Sequence, residues 1–493
     1  MPMPNLLFLY TDEQRADTLG AYGNGVIQTP NLDRLASQST LFQRAYVTQP
    51  VCTPSRSSLL TGLYPHQNGC TANNVPLPAE VPCLPEMLPP GRYVAGHHGK
   101  WHLGDEIWAQ HGFDHWRAIE DGYAEYFSAG RDAEARSSYH HWLISHGKRP
   151  EKRDRFSRYE TARFPEELSK PAYLAETAGE FIRVNRGRPW VLFVNFLQPH
   201  MPFFGPRDGQ YDPADIPLPA NFDAAPTADQ PLKTRAFARA YRELGHSGLP
   251  LRTTDDWRRM IANYYGLVSL VDTHVGRILD ALDETGQADE TVVVYTSDHG
   301  DMMGSHRLLA KCVLFEEALR VPLLVRLPGQ RSARRVAAPV GHVDLAPTLT
   351  DLLSDDAPAN LPGESLRGVL EGGAEPARDV FVEWNGTDSG IWDAAAARGW
   401  LEKALPQDLV DLGSPEQIAR SVQAPSRTVL TPDGWKLNVS TCGEHELYDL
   451  NADPLETRNL AGRPDQRPRM RELLGRIRQW QRRTGDDVNL PEL

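Results

Sequence analysis

Two apolar runs lie far apart in the chain, and each ends on an acidic turn. Residues 5–11 read NLLFLYT and lead into Asp12 and Glu13; residues 291–297 read TVVVYTS and lead into Asp298-His299-Gly300. Short, mainly apolar runs of this kind fit strands buried on both faces of a parallel sheet. Residues 190–197 (WVLFVNFL) and 321–327 (VPLLVRL) are two further candidates. Helical stretches fall between them. One covers 31–39 after Pro30, and a long one covers 256–284, with apolar Met260, Ile261, Tyr264, Leu267, Val268 and Val271 at helical spacing. This alternation predicts an α/β fold with a large, mostly parallel central sheet flanked by helices. Ligands in such sheets bind beyond the carboxyl ends of the strands. Asp12 and Asp298 both fall there, so two distant turns are predicted to meet in one site.

The chain has 493 residues, more than one ordinary core holds. A Pro/Gly-rich stretch near 356–376 predicts a boundary, with a larger domain over 1–370 and a smaller domain over 371–493. Strand candidates 379–384, 426–431 and 434–440 follow. A last amphipathic helix carries Met470, Leu473, Leu474, Ile477 and Trp480. The second domain is therefore expected to be α+β with an antiparallel sheet. Segments 105–170 and 202–250 read as long insertions over the sheet edge, where substrate-selecting loops usually sit. Trp384, Trp392 and Trp400 are expected near the rim of the site, where aromatic faces would stack on a phenol or a sugar.

The net charge is −13. That balance argues against nucleic acid or an anionic membrane as a partner. No stretch of about 18 apolar residues is present, the rough minimum for a spanning helix. The start of the chain shows no basic leader. The five cysteines (Cys52, Cys70, Cys83, Cys312 and Cys442) form no disulfide framework. Cytoplasmic residence is the expectation.

Residues 51–62 read VCTPSRSSLLTG. Thr53 reads as an N-cap, Pro54 as the first helical residue and Gly62 as the stop. Cys52 would then stand just ahead of a helix N-terminus, where free N–H groups favour an anion. Arg56 adds a forked cation one turn on. Further polar clusters are TDEQR at 11–15, GKWHLG at 99–104, QPHMPF at 198–203, SDHGD at 297–301, and Lys311. Each alone is weak; their joint occurrence carries the weight. His66, His97, His98 and His306 read as loop-shaping residues.

The stretch CTPSR followed by SSLLTG resembles the signature of the type I sulfatases, in the alkaline phosphatase superfamily. LLFLYTDEQ, GHHGKWHLG, TSDHGDMMGSHRLLAK and LYDLNADPLETRNLA are similar to other family segments, in family order. The resemblance implies an alkaline-phosphatase-like sandwich and hydrolysis of sulfate monoesters, arylsulfatase-like, to an alcohol or phenol plus sulfate. It implies that Cys52 is converted to formylglycine by a separate generating enzyme, the one protein partner expected besides a small sulfated substrate. Self-association stays open. Asp12, Glu13, Asp298 and His299 match positions that hold a divalent cation, calcium first, with manganese or magnesium as alternatives. His299 stands where many members carry Asn, and Glu13 where Asp or Gln is usual. Arg56 would hold the formylglycine hydrate, Lys100 and Lys311 the sulfate oxygens. His102 would take the proton that lets the aldehyde re-form, and His200 would assist the leaving oxygen. One hydrate hydroxyl attacks sulfur; the other permits the later elimination of sulfate. Two alternatives remain: a phosphonate monoester or phosphodiester hydrolase of the same superfamily, and an inactive binder of sulfated ligands. The Lys-x-His pattern of Lys100 and His102 favours sulfate over the first.

Overall fold

The structure, a computed structural model, describes residues 3–151, 154–354, 360–386 and 412–493. Nine strands build the larger sheet: β1 (Asn5–Asp12), β2 (Thr40–Tyr46), β3 (Val94–Gly99), β4 (His115–Ala118), β5 (Trp190–Pro199), β6 (Thr291–Ser297), β7 (Arg320–Val321), β8 (Leu324–Arg326) and β9 (Arg334–Gly341). Their order is β4-β3-β5-β1-β6-β8-β2-β7, with β9 beside β2. Strands β4, β3, β5, β1 and β6 all run parallel. Strand β1 shows why residues 6–10 form an unbroken apolar run. Leu6, Phe8 and Tyr10 enter the core on one face, and Leu7 and Leu9 enter the core on the other. Successive side chains of a strand alternate, so a strand covered on both faces has no polar side to spare.

The Cys52–Thr61 helix lays Leu59 and Leu60 into the first core. The Lys170–Val184 helix covers the second. The Thr254–Thr285 helix spans both, with Met260, Ile261 and Tyr264 in one core and Val271, Val275 and Ile278 in the other. Its start is fixed by a reciprocal cap. Asp256 N donates to Thr253 Oγ1 at 3.1 Å, and Thr253 N donates to Asp256 Oδ2 at 2.8 Å.

A second sheet is antiparallel and follows chain order: β10 (Val380–Trp384), β11 (Ser426–Leu430), β12 (Trp435–Ser440) and β13 (Glu446–Asp449). The Arg467–Thr484 helix packs Leu473, Leu474, Ile477 and Trp480 against it.

Several expectations need correction. Residues 321–327 form two short pieces, β7 and β8, both antiparallel to β2. Pro322 has no N–H for the ladder, and the run breaks there. Strand β3 was not anticipated, and His97 and His98 are buried members of it rather than loop residues. Trp384 does not line a rim. It is 1% exposed, donates from Nε1 to Val422 O at 3.1 Å, and lies under Lys233 Nζ at 3.6 Å from the ring centre. Trp392 and Trp400 lie outside the described residues. No helix among the described residues is long and apolar enough to cross a membrane. No disulfide joins any of the five cysteines.

Candidate active site

Four neighbouring strands, β3, β5, β1 and β6, end on one edge of the larger sheet. Lys100 follows β3, His200 follows β5, Asp12 closes β1, and Asp298 follows β6. The register sets Thr11 opposite Ser297, so the two acidic turns are side by side. The parallel direction of these strands is what places their carboxyl ends together. Asp298 N donates to Thr11 O at 3.0 Å. Glu13 N returns a bond to Asp298 Oδ1 at 3.0 Å. Glu13 has φ 71, a left-handed value costly for a residue with a side chain. Its carbonyl is also pinned, accepting from Tyr264 Oη at 2.6 Å.

Cys52 is the first residue of its helix, and Val51 occupies the cap position. Thr53 is therefore not the cap. Its Oγ1 instead donates to His102 O at 2.8 Å. Gly62 ends the helix in the left-handed region, as the sequence predicts. Cys52 Sγ lies 3.6 Å from Asp12 Oδ1, 3.3 Å from His299 Nε2 and 3.3 Å from Lys311 Nζ. Burial, aided by the Asp12 charge, pushes its thiol up to about 11 against the pull of Lys100 and Lys311. A thiol held neutral is a poor nucleophile.

Three buried cations face three buried carboxylates. Arg56 donates from Nε to Asp298 Oδ2 and from Nη2 to Asp12 Oδ2, both at 2.8 Å, and from Nη1 to Lys100 O at 2.9 Å. Lys100 Nζ donates to Asp12 Oδ2 at 2.5 Å, and Lys311 Nζ to Glu13 Oε2 at 3.2 Å. Burial favours the neutral form of Asp12, but Lys100, His200 and Arg56 outweigh it and hold the carboxyl well below its usual range. Glu13 goes the other way. Burial outweighs Lys311 and raises it to about 8, and its Oε1 has no partner.

That orphaned oxygen belongs to a donor set that would hold a cation. The ligand atoms of Asp12, Cys52, Asp298 and His299 all lie within 4.8 Å of one another, and Asp12, Glu13 and His200 form an overlapping group. His299 Nδ1 donates to Gly300 O at 2.9 Å, which leaves Nε2 bare for a metal. Burial keeps that imidazole neutral. Carboxylate oxygens with one imidazole suit a hard or borderline divalent ion.

His102 and His200 flank the cluster. His102 Nε2 meets Asn74 Oδ1 at 2.8 Å, while its Nδ1 has no partner. Burial and then Lys100 hold its pKa well below the usual value, so the ring is a neutral base. Glu106 holds the loop by accepting from Trp101 N at 2.8 Å and His102 N at 2.7 Å. His200 Nδ1 donates to Met201 O at 2.9 Å, and Nε2 lies 3.5 Å from Glu13 Oε2. All ten residues picked from the sequence thus gather at one edge of the sheet. Asn74, Glu106 and Asn195, whose Nδ2 donates to Lys100 O at 2.7 Å, were missed. An acid two positions beyond GKWHLG was a usable signal for Glu106; nothing local marks the asparagines.

A family model described as Sulfatase matches residues 4–355. The chain is 30% identical to the uncharacterized sulfatase YidJ of Escherichia coli, over 93% of this chain and 83% of that protein. It is 25% identical to an N-acetylglucosamine-6-O-sulfatase of Bacteroides thetaiotaomicron, over 98% of this chain and 87% of that one. Its fold matches a phosphonate monoester hydrolase of Silicibacter pomeroyi with a TM-score of 0.77 at 24% identity, covering 98% of this chain and 96% of that one.

Proposed function

The chain belongs to the sulfatase family, and on that premise we propose that it hydrolyses sulfate monoesters, with arylsulfatase-like chemistry, to an alcohol or phenol and inorganic sulfate. One observation carries the reading. Cys52 Sγ sits within 3.6 Å of Asp12, His299 and Lys311, groups from three separate segments, yet its own thiol is held neutral. A position so surrounded is built around a nucleophile that the unmodified cysteine does not supply. In this proposal a generating enzyme converts Cys52 to formylglycine; the hydrated aldehyde supplies a hydroxyl nucleophile, and a divalent ion on Asp12, Glu13, Asp298 and His299 supplies Lewis-acid charge.

The chain's own residues do the rest. Lys100 and Lys311 bind the sulfate oxygens and stabilise the charge that builds on them. Arg56 locks the Asp12 and Asp298 carboxylates to the start of the Cys52 helix. His102 takes a proton at Nδ1. His200 turns Nε2 toward the site and would assist the leaving oxygen as a donor only as the doubly protonated ring, because its Nδ1 proton is spent on Met201 O and burial, then Lys311, disfavours the charged form. Calcium is the first choice of metal, with manganese and magnesium as alternatives; the single imidazole tolerates manganese as well as calcium. The N-acetylglucosamine-6-O-sulfatase relative brings sulfated sugars into the range of substrates.

Hydrolysis of phosphonate monoesters or phosphodiesters is the second reading, because the same cations would bind those esters. The test is the rate on 4-nitrophenyl sulfate against an aryl phosphonate monoester, using metal-loaded protein whose Cys52 peptide has the mass of formylglycine. Faster sulfate turnover supports the first reading; turnover of the phosphonate alone overturns it.

A further inference from the structure

A second kind of metal-ligating cluster stands apart from the reacting residues. The ligand atoms of Cys83, Glu86 and His111 all lie within 4.8 Å of one another. Cys83 caps the short helix Leu84–Met87, and Glu86 is three residues on, within it. Residues at that spacing are neighbours on a helical turn. Glu86 Oε2 fixes the turn by accepting from Cys83 N at 2.9 Å. His111 comes from elsewhere, the loop between β3 and β4. Gly112 beside it has φ 76, and a Cβ there would fall 2.7 Å from Glu86 Cγ and 3.1 Å from Pro85 Cβ. Only glycine lets the loop come so close to the turn.

The imidazole carries the argument. Its side chain is 5% exposed, yet Nδ1 has no hydrogen-bond partner among the described residues. Buried polar atoms normally have one. That nitrogen faces Glu86 Oε2 at 3.5 Å. Two ligands about 2.1 Å from a tetrahedral zinc ion lie about 3.4 Å apart, so the pair is already at ligand spacing. Cys83 is fully buried, while Glu86 keeps 35% of its side chain exposed. The cluster is therefore dry on its sulfur side and open to water on its carboxylate side. Sulfur, imidazole nitrogen and one carboxylate oxygen form the mixed set that zinc prefers; calcium and magnesium take oxygen ligands.

We propose that Cys83, Glu86 and His111 bind a zinc ion, with water as the fourth ligand on the Glu86 side. The thiol proton leaves to water as the sulfur–zinc bond forms. The ion fastens the turn at 84–87 to the loop that also carries Lys100, His102 and Glu106. Trp101, between the first two, has its ring centre 5.9 Å from that of His111. The site stands whether or not the sulfatase reading does, because none of its ligands belongs to the reacting cluster.

The experiment titrates cobalt(II), the spectroscopic stand-in for zinc, into reduced, metal-stripped, full-length protein carrying Cys52→Ser. That substitution keeps the thiol of the reacting cluster from contributing. A thiolate-to-cobalt charge-transfer band is expected to saturate at a single ion per chain, and added zinc should displace the cobalt and erase it. Adding Cys83→Ser should remove the band while circular dichroism shows the fold intact. Adding His111→Ala should weaken zinc binding by about 100-fold or more, at or beyond the cost of losing an outer-shell partner. No band in the Cys52→Ser protein, or a band that survives Cys83→Ser, overturns the proposal. Should Cys83→Ser fail to fold, His111→Ala decides, and zinc binding as tight as before overturns the site.

Discussion

Arg56 Nη2 donates to Asp12 Oδ2 at 2.8 Å and ties the last residue of β1 to the helix that begins at Cys52. The Nε of the same guanidinium reaches Asp298 Oδ2, also at 2.8 Å. One fully buried side chain therefore holds together two carboxylates whose like charges repel.

Removing that fork strands both acids. Arg56→Ala should cost about 3–5 kcal/mol, the usual result of leaving a buried charge unpaired. Arg56→Lys should recover part of this, because a point charge cannot serve both carboxylates as the planar fork does. Denaturant unfolding of chelator-treated protein measures both. An unchanged midpoint in Arg56→Ala would show that the fork contributes nothing to stability.

Cys52 is 2% exposed, and every residue from Cys52 to Thr61 is buried. A modifying enzyme cannot grip that stretch in the folded chain. Conversion to formylglycine is expected in the nascent or urea-unfolded protein and not in the folded one. Mass spectrometry of the Cys52 peptide reads the outcome. Equal conversion of folded and unfolded protein contradicts the burial argument.

His102 is neutral and rests on Asn74 through Nε2. His102→Ala should lower kcat by about 10²- to 10⁴-fold, the range for a lost proton-transfer group. Asn74→Ala should lower kcat by about tenfold with little change in KM, because ring orientation is lost rather than substrate contact. Steady-state kinetics on 4-nitrophenyl sulfate separates the two. A pure KM effect in Asn74→Ala would move that residue from positioning to substrate binding.

The orphaned Glu13 Oε1 and the bare His299 Nε2 both call for a cation. Dialysis against a chelator should abolish turnover and lower the melting temperature. Added calcium or manganese should restore both. Full activity after metal content falls to background would remove the ion from the reaction.

Glu120 sets an acid limit. Burial alone would raise its pKa, but Arg158 and Lys170 prevail and bring it from 4.5 down to about 2. A carboxylate depressed on folding stabilises the protein above its unfolded value, and the benefit fades as pH falls through the folded one. The stability gap between wild type and Glu120→Gln should be full at pH 6 and shrink between about pH 4.5 and pH 2. Urea unfolding across that window tests it. A gap independent of pH would mean that packing, not charge, is what Glu120 contributes.

Much of this molecule was readable from residues alone. NLLFLYT and TVVVYTS are apolar without a break from Leu6 to Tyr10 and from Val292 to Tyr295, so both faces had to be covered, and the acids that follow them had to lie at the carboxyl edge of the sheet. Gly62 was readable too. Its φ of 70 suits glycine, and a Cβ there would fall 2.8 Å from that of Ala346. Strand direction was not readable, because apolar content is the same in either sense; contacts with β2 and β6 turned 324–326 antiparallel. Strand β3 was hidden for a related reason. His97 and His98 look polar in isolation, yet His97 is buried with ring centres 5.1 Å from Trp101 and 4.6 Å from Trp116. The kinds of side chain needed for the site were legible along the chain. Which cation meets which carboxylate, and that Asn74 backs His102, was decided only when strands distant in sequence closed into one sheet, since a hydrogen-bond partner is chosen by proximity in space and not by spacing in sequence.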